Sequence, residues 1–580
     1  MKNKKKGIKQ HNITQLILSL MIIILLNIIS SFVFTRFDLT SEKRYTLSDA
    51  TKEQLKNLDD IVYFKIYLEG DFPAGFKRLR NETKEMLDEF RAYSDNIQYE
   101  FINPLKNKDR KNTSKIYKQL VDKGLEPTDL HIKNSGASSQ QIIFPGALVS
   151  HKGKEIALQL LITQTGTSPQ AVLNNSIQAL EYNISSTIRK LTITRKHKIA
   201  FITGHGELNK YDVADISYSL SEYYDVERIN INGKLNSLSK RELVDSTKTI
   251  NKNKYSAIII AKPDSAFDGK DKFVIDQFIM NGGKVLWLID PVFASMDSLK
   301  KSYETIGISN NLNLEDQFFN YGIRINKNLI LDLNALPIPV VTGNVGDKPQ
   351  QTFLPWYFFP VIVPIINHPV VNNLNIIKCE FVSSLDTVGT DNIKKTILLT
   401  SSPYSRFVNA PCRINLDLLM HEPDKRQYNR PNLPIAVLLE GKFKSVFKNR
   451  IPPVIRNNKD IKFKEESVKN SMIVVSDGDI IKNQIKYLQD GSIYPYPLGY
   501  DRYTRQTFGN KDFILNAVNY LCDESGLISV RSKELKLRLL DRQKINNNKL
   551  FWQILNIIVP ILLVVILGII QYIIRKRKYA

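Results

Sequence analysis

Four short polar runs each stand directly after an apolar run. Gly204-His205-Gly206-Glu207 follows "KIAFIT", Asp290-Pro291 follows "KVLWLI", Ser401-Ser402 follows "TILLT", and Ser476-Asp477-Gly478-Asp479 follows "SMIVV". Gathered at one sheet edge, they would set the imidazole of His205 beside the carboxylates of Glu207, Asp290, Asp477 and Asp479. Open α/β sheets bind ligands beyond the carboxyl ends of their strands. Gly204, His205, Gly206, Glu207, Asp290, Ser476, Asp477 and Asp479 are therefore the candidate ligand-binding set, suited to a small polar ligand or a glycan. A bland alternative stands beside it. The glycines allow the backbone to turn off the strand at positive φ, and Glu207 itself occupies the anion-favouring start of the next helix. His205 is then hydrogen-bonded locally.

Enzymatic chemistry finds little here. At a nucleophile elbow of the amidotransferase type the critical position holds His205, and no cysteine stands at these strand ends. There is no G-x-S-x-G around a serine. A His-x-Glu pair falls short of the four ligands that a closed zinc site needs. A phosphate-cradling loop would read G-x-x-x-x-G-K-[ST]. "GDFPAGFK" (Gly70 to Lys77) puts Phe76 where the lysine belongs, and "GNVGDKPQ" has the wrong spacing. No catalytic residue, cofactor or metal is expected, so any nucleotide chemistry belongs to another subunit.

The elements that would position these residues alternate. "HKIAFIT", "YDVERINI", "YSAIIIAKP" and "KVLWLID" read as strands, with helices "YDVADISYSLSEY" and "KDKFVIDQFIMNGG" between them. Such alternation makes a mostly parallel sheet covered on both faces. After an interruption, "TILLTSS", "IAVLLEG" and "SMIVVSDGD" resume the sheet. A last helix, "NKDFILNAVNYLCD", starts at Asn510 as its expected N-cap. Upstream, "IVYFKIYLEG", "IQYEFINP", "QIIFPGALVS" and "KEIALQLL" are strands and two segments are helical, the second ending at Gly124. This β-α-β-α-β-β order matches a thioredoxin-like module without a redox cysteine pair, which leaves it a scaffold or a binding surface. "NNSIQALEYNISSTIRKL" carries one apolar stripe, either a core helix or a linker. Within the interruption, "FLPWYFFPVIVPII" has prolines that forbid a regular helix. Its Trp356, Tyr357, Phe358 and Phe359 are candidate contacts for a partner or a membrane surface; the alternative is a buried extended segment.

Hydrophobic residues make up 43% of the 580 and charged residues 24%, so the bulk of the chain folds. The net charge of +23 invites a nucleic-acid reading. The lysines are scattered among many Asn and Ile, however, so no nucleic-acid partner is expected. The three cysteines, Cys379, Cys412 and Cys522, form no C-x-x-C motif; whether Cys379 and Cys412 pair stays open.

Residues 13–34 and 552–574 are uncharged and long enough to cross a bilayer. Basic residues flank both on the side facing the chain ends, at Lys2 to Lys9 and at Arg575 to Lys578, so both tails are expected in the cytoplasm and the region between them outside the inner membrane. The basic stretch "RSKELKLRLLDRQKINNNK" either lies against anionic headgroups or forms a solvated helix face. Asn27 and Pro560 sit within the spans as candidate helix-contact positions; Asn27 bonds either across to another helix or to its own backbone.

"FDLTSEKRYTLSDATKEQL", "LNNSIQALEY", "IAFITGHGELN", "LEDQFFNYGIRIN", "EFVSSLDTV", "LLTSSPYSR", "VLLEGKFKSVFKNR" and "SDGD…FGNKDFILNAVNYL" together resemble the GldG family, auxiliary components of a gliding-motility-associated ABC transporter of Bacteroidetes. The resemblance runs in order along nearly the whole chain. It implies a membrane-anchored protein, labelled substrate-binding, that acts with an ABC ATPase and a membrane permease as separate chains. Its central domain would be a GIFT domain, shared with an intraflagellar-transport component. The expected organisation is a cytoplasmic tail (1–12), a transmembrane helix (13–34), a thioredoxin-like extracytoplasmic module (35–165) and a linker helix (166–196). A GIFT-like α/β domain follows in two parts (197–300 and 394–528) around an insertion (301–393). A basic juxtamembrane helix (529–551), a second transmembrane helix (552–574) and a cytoplasmic tail (575–580) complete it. Two functions remain open: a non-enzymatic accessory subunit linked to gliding or envelope biogenesis, or a membrane-tethered glycan-binding protein or hydrolase using the His205/Glu207 crevice.

Overall fold

The apolar runs pair as one seven-stranded sheet. Its order is Ile393–Thr400, Pro434–Gly441, Asn470–Val475, Lys284–Leu288, Ala257–Ala261, His197–Thr203, Tyr224–Asn230. The last five strands are mutually parallel; Pro434–Gly441 runs antiparallel to both its neighbours. The structure, a computed structural model, describes residues 2–32, 46–104, 110–134, 137–245, 248–345, 348–389, 392–456, 458, 461–523, 525–533, 545 and 547–579. These divide into two units, one of residues 45–533 and one made from the two ends of the chain.

Strands such as "AIIIA" are buried along their whole length because helices cover both faces of the sheet, as parallel pairing requires. Alternate residues serve opposite faces. Ile199 and Phe201 join a core with Ile216, Phe513 and Val518, from the helices Ala214–Ser221 and Asn510–Cys522. Ala200 and Ile202 join the other core, with Ile275 and Phe278 of the helix Gly269–Met280. The expected cap of the last helix is displaced by one residue. Gly509 is the N-cap, and Asn510 turns inward, donating to the carbonyls of Lys378 and Ile480 and accepting from Lys378 N.

The N-terminal module has a sheet ordered Ile97–Phe101, Val62–Ile66, Gly146–His151, Lys154–Gln159. The first two strands are parallel and the third is reversed against both its neighbours. The run "QIIFPGALVS" is two strands rather than one, broken at Phe144-Pro145, and its first half completes a hairpin with Thr128–Asn134. Gly124, at φ 93°, closes the helix Arg110–Asp122 in a conformation that costs other residues strain. The stripe over 174–191 belongs to two helices, Pro169–Gln178 and Leu180–Thr192. Their Leu173, Ile177, Leu180 and Ile184 share a core with Val62 and Phe64. The apolar stripe is thus packed into a core.

The interruption of the large sheet is a β-rich layer. Its long hairpin, Ala335–Val345 with Lys348–Ile362, carries the aromatic segment. Trp356, Tyr357, Phe358 and Phe359 are all buried, in a cluster with Phe381, Tyr428 and Cys412. This corrects their reading as an exposed contact patch: the prolines keep the segment extended, and an extended strand here runs through the core. The layer also takes strands from beyond residue 393, since Ser405–Asn409 pairs with Asn328–Asp332 and Cys412–Asn415 with Glu304–Ser309. No disulfide joins the cysteines; all three are buried as free thiols.

In the other unit, Lys549–Tyr579 is a single helix. Its 29 residues Lys549–Arg577, at about 1.5 Å per residue, exceed the roughly 30 Å of a hydrocarbon core. It is the one helix among the described residues long and apolar enough to cross a membrane. Pro560 lies inside it. The helix Lys2–Phe32 has the shorter apolar stretch Ile13–Ile28. Asn27 Nδ2 donates to Ile23 O at 3.0 Å, its own backbone one turn earlier. Residues 33–34 of the first expected span, and 534–544 and 546 of the expected juxtamembrane helix, lie outside the described residues.

Candidate functional site

The carboxyl edge of the large sheet gathers the sequence candidates into two internally bonded clusters. The first surrounds His205, where the strand His197–Thr203 ends. Gly204 (φ 119°) and Gly206 (φ 72°) turn the chain sharply. The His205 N–H donates to Glu207 Oε2 at 2.7 Å, and Nδ1 lies 3.2 Å from Glu207 Oε1. Nε2 lies 2.9 Å from Oδ2 of Asp271 in the helix Gly269–Met280. Phe267 stacks on the ring at 3.8 Å. Both ring nitrogens are thus taken by carboxylates of the same chain, and the His205 side chain is 6% exposed. Burial works to lower the imidazole pKa, but the hydrogen bonds and charges of Glu207 and Asp271 outweigh it and raise the net value. Burial likewise works to raise Glu207, and the hydrogen bonds from His205 carry it below the usual carboxylate range. Asp271 Oδ1 also accepts Gly233 N–H at 2.6 Å, so His205 and Asp271 pin three segments together.

The second cluster centres on Lys262, which follows the strand Ala257–Ala261 at φ 53°. Its ammonium bridges Asp290, at 3.0 Å, and Asp479. Burial opposes the charge of Lys262, and the two carboxylates more than restore it, leaving its pKa raised. Asp290 also accepts Gly478 N–H at 2.5 Å; burial raises its pKa against the pull of Lys262. Asp477 is fully buried. It accepts backbone N–H groups from Asp479 (2.8 Å), Ile480 (3.1 Å) and Glu380 (3.0 Å), while burial and the carboxylates of Asp290 and Asp479 push its pKa well up. Ser476 Oγ donates to Ser383 O at 2.6 Å. The segment after Lys262 links the two clusters, since the N–H groups of Asp264 and Ser265 both donate to His205 O at 3.0 Å.

The side chains at this edge bond mainly to one another, with Gly204 and Gly206 exposed beside them. Buried polar groups here are matched to one another, and the work they do is to fix loop positions. Ser401 and Ser402 do not join them: Ser402 caps Asp332, donating from Oγ at 2.6 Å and from N at 2.7 Å, which draws it toward the β-rich layer. Among the described residues no group of three or more His, Cys, Asp and Glu is arranged to hold a metal. Sequence reasoning missed Lys262 and Asp271, which organise the two clusters. Lys262 follows directly on "AIIIA", so its place at the strand end was a readable signal; Asp271 carried none.

The opposite edge of the same sheet is open. A cleft of about 1040 Å³ is lined by His197, Lys198, Ser256, Lys284 and Ser471, at the amino ends of the parallel strands, and by Gly526, Ile528 and Ser529.

Comparison with known proteins gives four findings. Residues 41–150 match a domain of unknown function. An uncharacterized protein of Borreliella burgdorferi is 24% identical over 578 residues, covering 98% of this chain and 99% of its own length. The solved mmIFT52 N-terminal domain aligns over 56% of this chain and 97% of its own, at 11% identity and a TM-score of 0.30, too slight a likeness to carry an argument. Residues 196–517, more than half of the chain and spanning the large sheet, match the family described as an ABC-type uncharacterized transport system. By that match the chain belongs to the ABC-type uncharacterized transport system family of auxiliary components.

Proposed function

We propose that the chain is a non-enzymatic accessory subunit of an ABC-type transport complex, anchored in the inner membrane by apolar helices at both ends. Its body, 45–533, lies on the extracytoplasmic side, and both tails lie in the cytoplasm. It works with an ATPase and a permease that are separate chains, and its body binds a substrate or a partner of that complex.

The family match over 196–517 carries this reading, because an ABC-type transport system implies ATPase and permease partners. The long apolar helix Lys549–Arg577 supports membrane association. The uncharged run 13–34 and the basic flanks at both chain ends support the two-pass topology. The lack of a P-loop supports an energy source on another chain. The internal bonding of His205, Glu207, Asp290 and Asp477 favours a structural role for the carboxyl edge over a hydrolytic or glycan-binding crevice. The strand order and directions of the N-terminal sheet support a thioredoxin-like scaffold. The segments that resemble the GldG family support a role in gliding motility or, in cells that do not glide, in envelope biogenesis.

Affinity purification of the tagged full chain in mild detergent tests the proposal. Recovery of an ABC ATPase and a multi-span permease in constant proportion is the expected result. Quantitative recovery of the chain without either would overturn it.

A further inference from the structure

The run that buries Trp356 to Phe359 does not stay buried. The strand Lys348–Ile362 ends where Ile362 pairs with Ile377, and the chain loops out between them. Val363, Ile365 and Ile366 are all exposed on that loop, Val363 to 53% and Ile365 to 79%. No Asp, Glu, Lys or Arg stands between Lys348 and Lys378, so the tip has no charged neighbour along the chain. Three exposed aliphatic side chains within four residues are more than the scattered single exposures that any protein surface carries. The loop is also firmly held. Val370 and Val371 are buried in one core with Phe513, and Asn516 Nδ2 donates to Val370 O at 3.2 Å.

The place of the loop in the fold says what it meets. Hydrogen bonds tie it to the segment by which the chain leaves the body. Asn367 Nδ2 donates to Ser532 O at 3.5 Å and Asn372 Nδ2 to Arg531 O at 2.5 Å, while Arg531 donates to Pro369 O at 3.1 Å and to Asn372 O at 2.8 Å. The next residue but one, Lys533, donates from Nζ to Thr46 O at 2.6 Å, which brings the entry and the exit of the body together beside the loop. Ile365 lies two residues from Asn367, at most about 7 Å of chain. From Thr46 only residues 35–45 precede the apolar run 13–34, at most roughly 40 Å when fully extended. A body anchored through both ends therefore turns this end toward the bilayer. The tether holds the loop at high effective concentration near the surface, where a few aliphatic side chains suffice although they would bind weakly if free. The chemistry agrees. Protein interfaces are marked by aromatic side chains and Arg, and the tip has neither; lipid asks for no directional bonds.

We propose that Val363, Ile365 and Ile366 dip into the interfacial layer of the lipid bilayer, which makes the loop between Ile362 and Ile377 a membrane contact of the body itself. The proposal rests on the membrane-anchored reading above.

The test uses the full chain in phosphatidylcholine nanodiscs, with one fluorophore on a single introduced cysteine; the three native thiols are buried. Ile365→Cys places the label on the loop. Val454→Cys places it on another exposed aliphatic residue, 81% exposed, and Leu563→Cys places it in the helix Lys549–Tyr579. All three side chains are exposed, so the substitutions leave the core intact. Lipids carrying a nitroxide near the glycerol should quench the label at 365, and aqueous iodide should quench it about tenfold less than the label at 454. Equal iodide quenching at 365 and 454 would overturn the proposal. Protection from iodide without nitroxide quenching would mean that another copy of the chain covers the loop, and would overturn the lipid contact. The label at 563 keeps the two readings apart. Nitroxide quenching at 563 but not at 365 would defeat the loop contact alone, and its absence at 563 would defeat the anchored reading as well.

Discussion

Lys533 Nζ stands 3.0 Å from Glu181 Oε2, and this pair fastens the last residues of the body to its first. The same ammonium holds Thr46 O at 2.6 Å, while Glu181 Oε1 accepts Ser48 N at 2.6 Å and Thr51 Oγ1 at 3.1 Å. Glu181 is 3% exposed. Removing it takes the carboxylate from the half-buried Lys533 ammonium and leaves the Ser48 N–H without its acceptor. Glu181→Ala should cost about 3 kcal/mol, and amide hydrogen exchange over residues 46–56 should quicken before the large sheet responds. Unchanged protection there would show that the latch is not what holds the two ends.

His205 gives a pH signature. Its folded pKa is raised above the ordinary 6.5. The sign follows: its contribution to stability is full below about 6.5 and is lost as pH rises through the folded value. His205→Ala leaves the carboxylates of Glu207 and Asp271 buried without their partner, for a loss of about 3 kcal/mol. The gap between wild type and variant should be larger at pH 6 than at pH 9, read from denaturant midpoints. A gap that does not change with pH would mean that the ring stays neutral.

Lys262 is the keystone of the second cluster, and Lys262→Met should be the most damaging substitution at the carboxyl edge. It leaves Asp290 and Asp479 without the cation that bridges them, only Lys482 remaining at 4.0 Å from Asp479, at about 3 kcal/mol. Adding Asp290→Asn should recover part of that loss, since one buried charge is then removed. If the double variant is no more stable than the single one, the bridge is not the source of the effect.

How much of this was legible in the sequence depends on what each residue had to reveal. The strand His197–Thr203 was visible from its apolar stretch Ile199 to Ile202, because burial on both faces leaves no polar positions there. "WYFFP" could not be placed from its own letters, since extended buried backbone and an exposed patch look alike until Phe381 and Tyr428 are seen packing on it. Likewise, His205 and Asp290 were visible as polar residues at strand ends. Their saturation was not, because Asp271 and Lys262 reach them through space rather than along the chain.

The proposed two-pass topology predicts where a reporter will work. A periplasm-active reporter inserted near Lys254 should be active, and one fused after Arg577 should be silent, with a cytoplasm-active reporter giving the reverse. Cytoplasmic activity near Lys254 would contradict the extracytoplasmic assignment of the body.

The most direct test of the central claim is ATP hydrolysis by the purified full chain, alone and with the proteins that co-purify in mild detergent. The account predicts no turnover by the chain alone, and turnover by the assembly that is abolished when the Walker lysine of the separate ATPase is substituted. Hydrolysis by the isolated chain, or turnover in the assembly unaffected by that substitution, would contradict it.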